Sequence, residues 1–191
     1  MRGKIMNNQD YKAMYYINRI IENGEADDYD LTNWCRKVKF IIHKEDDEDK
    51  KDICQVIKAR IKEFAQKYDK TQKITEEKNI DNLAKIFKLS DIEKEILSVL
   101  YLPHNNRLFK EFKRQMQGYS SDISVRILSA MLDKFIIKYV GRKSRLSKLG
   151  FIDAASYEIG LTLYFIDLIT NKIKTKQQYI DILLGKNLTT E

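Results

Sequence analysis

Apolar residues recur along this chain at three- and four-residue steps, the period of helices that bury one face. Tyr11, Met14, Tyr15, Ile17 and Ile21 predict a first helix, and Asn23-Gly24 stops it. Leu31, Trp34, Val38 and Ile41 or Ile42 form a second stripe, for which Asp30 or Thr32 can cap the first amides. EDDEDKKD, from residue 45 onward, breaks the pattern and predicts an exposed loop, its acids suited to the positive end of the helix that follows. Ile53, Ile57, Ile61, Phe64 and Tyr68 mark that third helix.

Residues 69–74, DKTQKI, carry no apolar period and predict a linker. Beyond it Thr75 is the expected cap of a helix with Glu76 and Glu77 in its first turn and Leu83, Ile86 and Phe87 facing inward. Ser90-Asp91-Ile92-Glu93 has the form of a capping box, in which serine and glutamate side chains satisfy two orphan amides reciprocally. Ile92, Ile96, Leu97, Val99 and Leu100 continue that helix to Pro103. Leu108, Phe112 and Met116 predict another, ended by Gly118, and Ser120, Ser121 and Asp122 offer caps for the next. Its expected core face is Ile123, Ile127, Leu128, Met131 and Phe135.

Phe135 to Val140 is aromatic and β-branched, and Leu146, Leu149, Phe151 and Ile152 suggest a second extended piece, so a hairpin is expected around the RKSR of residues 142–145. Tyr157, Leu161, Tyr164 and Leu168 predict an amphipathic helix, and Tyr179, Ile182 and Leu183 a final short one. The expected fold is therefore mainly α: a helical bundle extension over 1–74, then a winged-helix-like domain over 75–191 with at most a short β-hairpin, ending in a linker.

Composition supports that reading, because one proline and seven glycines in 191 residues interrupt few helices, and 33% charged residues suit long solvated faces. The formal net charge of +7 makes an anionic partner plausible. Its local distribution matters more than the sum: every charged residue from Lys134 to Ile152 is basic. In the order helix, helix, GYSSD turn, helix and basic hairpin, Arg126 could reach a base edge, while Lys138, Arg142, Lys143, Arg145 and Lys148 could meet phosphates or an acidic partner. The helix bearing Arg126 has few side chains able to read bases, which disfavours sequence-specific DNA recognition.

No catalytic or metal constellation emerges. His43 and His104 have no carboxylate or cysteine at ligand spacing, and the acids at 45–49 lack the alternation and central glycine of a calcium loop. Cys35 and Cys54 have no metal-like spacing and fit a reducing, cytoplasmic setting without a disulfide. Gly185-Lys186 fails as a phosphate loop, with Ile180 where a glycine is required and Asn187 where a hydroxyl must follow. The most apolar run, 159–169, is too short to span a bilayer and contains Asp167, so no membrane partner is expected.

LAKIFKLSDIEKEIL at 83–97, SSDISVRILSAMLD, SRLSKLGFID and the terminal DILLGKNLTTE together resemble the region preceding the ATPase domain in bacterial AAA-family ATPases. The likeness covers roughly residues 80–191, and 1–74 carry no such resemblance. It implies a non-catalytic regulatory or partner-recruiting region cut before the nucleotide-binding core, with no cofactor of its own. ATP and magnesium are implied only for the parent protein. The implied partners are the parent's ATPase core and an unidentified protein substrate, with nucleic acid as the alternative. Leu146, Leu149 and Phe151 are then expected to anchor the wing, the cations pointing outward.

Overall fold

The computed structural model describes residues 6–38, 53–120, 122–155, 157–170 and 177–178. The acidic loop at 45–49, Ile41, Ile42, His43, Ser121, the helix expected at 179–183 and Gly185-Lys186 lie outside them. Among the described residues the chain is mainly helical with three short strands, and it divides into two units, 1–72 with 102–136 and 73–101 with 137–191.

In the first unit, α1 (Asn8–Glu22) packs on α3 (Ile53–Gln66), on α7 (Arg107–Gln117) and on α8 (Val125–Leu132), while α2 (Asp28–Val38) packs on α3 and α7. A single turn, α6 (Leu102–Asn105), precedes α7, and a two-residue strand, β1 (Ile123–Ser124), precedes α8. Met14, Ile17, Ile20, Trp34, Ile57, Ile61, Phe109 and Phe112 are fully buried or nearly so. Trp34 meets Phe112 edge to face with ring centroids 5.2 Å apart, and its indole N–H donates to the Leu108 carbonyl at 3.2 Å. The apolar ring is thereby buried without stranding its polar atom.

The polar node of this unit is Asn106, only 4% exposed. Its side-chain oxygen accepts from the Phe109 amide at 2.9 Å and caps α7, while its amide group donates to the Gln9 carbonyl and to Asp10 Oδ1, both at 3.1 Å. Asp10 in turn belongs to the capping box of α1: its backbone N–H donates to Asn7 at 3.0 Å, and its carboxylate accepts from the Asn7 N–H at 3.3 Å. Two helix starts are therefore tied by one side chain.

In the second unit, α4 (Thr75–Ile86) packs on α5 (Asp91–Leu100) and on α11 (Leu163–Thr170). Two single turns, α9 (Ile137–Val140) and α10 (Arg145–Lys148), lead to β2 (Ile152–Ala155), which pairs antiparallel with β3 (Glu158–Leu161) in the register Ile152 to Leu161 and Ala155 to Glu158. Phe151 lies at the centre, fully buried, with Phe87 at 5.2 Å and Phe165 at 4.8 Å between ring centroids. The buried Asn79 side chain donates to the Ile169 carbonyl at 2.7 Å and joins α4 to α11.

The capping box at Ser90 stands as the sequence spells it: the Ser90 N–H donates to Glu93 Oε2 at 2.8 Å and Glu93 N–H to Ser90 Oγ at 3.4 Å. Other expectations are corrected. The cap of α2 is Asp27, whose Oδ1 accepts from the Asp30 N–H at 2.7 Å, so Asp30 and Thr32 lie inside the helix. Helix α4 begins at Thr75, and Glu77 satisfies the Ile74 amide. Ser124 caps α8, because Ile123 is in β1 and the Ser120 hydroxyl holds a local turn by accepting from Asp122.

No hairpin forms around residues 142–145. The Ser144 hydroxyl accepts from the Ser147 N–H at 3.2 Å and starts α10, so the local cap overrides the β-branched signal, and Ile137–Val140 is also a helical turn. The strands come later, which removes Tyr157 and Leu161 from the predicted helix and, among the described residues, leaves Leu163–Thr170 helical. Phe135, expected in the core, is 80% exposed.

Two substitutions separate a cap from a node. Asn106→Ala is expected to lower stability by about 2–3 kcal/mol, since it strips a cap and leaves buried partners unsatisfied. Ser90→Ala is expected to cost about 1 kcal/mol. Urea denaturation followed by circular dichroism measures both.

Candidate acidic-partner surface

The segment between α9 and β2 is held by its apolar residues. Leu146 and Phe151 are fully buried, Ile152 nearly so, and Ser144 is buried as the α10 cap; Leu149 is half-buried. Gly150, at φ +70°, makes the left-handed turn that closes α10, where its N–H donates to Ser147 and the next amide to Leu146, both at 3.0 Å. Thr162 braces this turn by donating its hydroxyl to the Gly150 carbonyl at 2.6 Å while capping α11 through the Phe165 amide at 3.1 Å.

With the apolar side chains inward, the cations stand outward. Lys138, Arg142, Lys143, Arg145 and Lys148 are all exposed, and among the described residues none forms an ion pair with a carboxylate. They occupy α9, the turn after it and α10 rather than hairpin strands.

Two of the five are fixed by backbone carbonyls. Arg142 Nε donates to the Ala154 carbonyl at 3.3 Å, which holds it beside β2. Arg145 donates from one guanidinium nitrogen to Lys88 O at 2.9 Å and from the other to Phe87 O, at the carbonyl end of α4. A cation there also complements the negative pole of the helix. Lys138 lies over the Tyr139 ring at 4.8 Å, and Lys143 and Lys148 extend into solvent.

Arg126 is elsewhere. It sits on α8 in the first unit, with its Nε 2.8 Å from Glu25 Oε2.

Burial shifts three side chains of the kind used in nucleophilic or acid-base chemistry. Burial pushes the Cys35 thiol up to about 12 and also raises Cys54; both are free thiols. Burial lowers the pKa of His104, and the Lys110 charge adds to the effect. Among the described residues no group of three or more His, Cys, Asp and Glu could hold a metal, and no helix is long and apolar enough to cross a membrane.

A second cationic group escaped the sequence reading: Lys73, Lys85, Lys88 and Lys94 meet around Asp81 at one end of α4 and α5. Their spread over 22 positions hides them from any search for a basic run. The signal was the pair Lys85 and Lys88 just ahead of the Ser90 box, which makes a helix turn back and brings Lys94 alongside.

No protein-family model, no curated protein and no solved structure matches this chain.

Arg145 differs from its neighbours in being tied to α4. Arg145→Ala is expected to lower stability by about 1 kcal/mol, and Lys143→Ala or Lys148→Ala to change it by less than about 0.5 kcal/mol, as measured by chemical denaturation.

Proposed function

We propose that this chain is a non-catalytic regulatory or recruiting module that docks an acidic protein surface through the cations of residues 138–148. The observation that carries the reading is the combination of five exposed cations that form no ion pair with a carboxylate among the described residues with an apolar-anchored backbone beneath them. A surface of one sign on a fixed support accelerates encounter with an oppositely charged partner without requiring any base-specific side chain. The resemblance to the region preceding the core of AAA-family ATPases supports the same reading. In it the chain order α5, α7, α8 and the β2–β3 hairpin is winged-helix-like, and ATP and magnesium belong to the parent's core.

Nucleic acid is the second reading, favoured by one observation: Tyr157 is 82% exposed in the turn of the hairpin to which Arg142 is bonded. An aromatic ring beside a phosphate-binding cation is a platform on which an unpaired base can stack.

The test uses the full chain and a variant with Lys138, Arg142, Lys143 and Lys148 all changed to Glu. Arg145 is kept for its bonds to α4. Fluorescence anisotropy is read with a labelled polyglutamate peptide and with labelled single- and double-stranded DNA at several salt concentrations. The recruiting reading expects peptide binding weakened roughly tenfold or more in the variant, with unchanged helicity. Failure of the wild type to bind the peptide, or equal binding by the variant, overturns it. Preferential DNA binding with a steep salt slope replaces it with the second reading. ATP turnover by the chain alone would overturn the non-catalytic assignment.

A further inference from the structure

An open cleft of about 440 Å³ lies where the end of α4 meets the start of α5. Lys73, Lys85, Lys88 and Lys94 line it together with Asp81 and Asp91. Four ammonium groups against two carboxylates leave a formal surplus of two positive charges. Asp81 is already shared: Oδ2 is 2.5 Å from Lys73 Nζ and Oδ1 is 3.7 Å from Lys94 Nζ, and Lys94 also lies 3.5 Å from Asp91 Oδ1. Lys85 and Lys88 form no ion pair among the described residues. The surplus therefore resides on those two.

Lys88 holds its place at a cost. Its φ of +50° is the left-handed conformation that ends α4, with the Leu89 N–H returning to the Ala84 carbonyl at 2.8 Å. Glycine or asparagine is the usual occupant of that position, because a side chain there crowds the backbone. The turn is also clamped by Arg145, which binds the carbonyls of Phe87 and Lys88. A lysine in this strained conformation, its carbonyl held by an arginine, thus lines the cationic cleft.

We propose that this cleft binds a small oligophosphate anion, with Lys85 and Lys88 as direct ligands and with Lys73 and Lys94, positioned by Asp81, completing the cationic wall. The volume admits two or three linked phosphates. The described lining residues include no aromatic ring, and the apolar ones are Ala84 and Leu89, so the cleft has nothing on which a nucleobase could stack. The ligand is recognised by charge, as phosphate groups are by lysine point charges.

The test is isothermal titration of the full chain with pyrophosphate and with tripolyphosphate in magnesium-free buffer, with sulfate as the control anion. Wild type is expected to bind tripolyphosphate more tightly than pyrophosphate, in the submillimolar range, and sulfate negligibly. Lys88→Gly separates ligand from scaffold: it relieves the left-handed strain and is expected to raise the Tm while weakening binding roughly fivefold or more. Lys85→Ala is expected to weaken binding similarly with little change in Tm, and Lys62→Ala, at an exposed position of α3 outside the cleft, to leave binding intact. Absence of binding at millimolar anion, sulfate binding as tight as pyrophosphate, or Lys88→Gly and Lys85→Ala variants that bind like wild type would each overturn the proposal. A lowered Tm in Lys88→Gly would show that the lysine serves the fold, and would overturn it too.

Discussion

An α-helix begins with amide N–H groups that its own turns cannot satisfy, and this chain's architecture depends on where it supplies oxygens for them. Asn7, Asp27, Ser90, Asn106, Ser124 and Ser144 each accept from an amide two or three residues into a helix. With a single proline in 191 residues, few boundaries are imposed by chain stiffness. Short polar side chains set them instead, and each defines the direction in which the next apolar stripe is presented. Asn106 extends the principle, since the same side chain that starts α7 grips the start of α1.

The basic segment follows from the same constraint. Ser144 commits residues 145–148 to a helical turn, the turn carries Leu146 inward, and Gly150 reverses the backbone so that Phe151 enters the aromatic cluster with Phe87 and Phe165. Once those two anchors are buried, the charged residues around them stay at the surface, Lys143 and Lys148 in solvent and Arg142 and Arg145 on backbone carbonyls, because an unpaired ammonium or guanidinium group inside the core would be prohibitively costly. The cationic surface is thus a consequence of burying leucine and phenylalanine, and its density is set by how many of the remaining positions are lysine or arginine.

The second unit has two kinds of cationic group, and they differ in what surrounds them. Along 138–148 the charges stand apart from carboxylates on an exposed rim, which suits a broad partner and long-range attraction. In the α4–α5 cleft they converge on Asp81, which spaces Lys73 and Lys94 while Lys85 and Lys88 stay unneutralised; convergence in a concave site suits a compact anion. Arg145 belongs to the rim by position and braces the cleft by its bonds to Phe87 and Lys88. The proposed anion site and the proposed docking rim would therefore share one side chain.

Helical content, the stripes of α1, α3 and α5, the Ser90 box and the outward cations of 138–148 were legible in the sequence, because each depends on contacts within a turn or two of the chain and leaves a periodic or capping signature. The mainly helical class with one short hairpin follows from those signals. The hairpin's location did not: Phe135–Val140 and Leu146–Ile152 have strand-like composition, yet the Ser144 cap and the burial of Leu146 made helical turns of them, and the pairing fell to 152–161. The exposure of Phe135, the Glu25 partner of Arg126, the Asn106 node and the lysine cleft all join residues far apart in sequence. Only tertiary packing decides such meetings, since hydrophobic period fixes which face of an element is buried but carries no information about which other element will cover it.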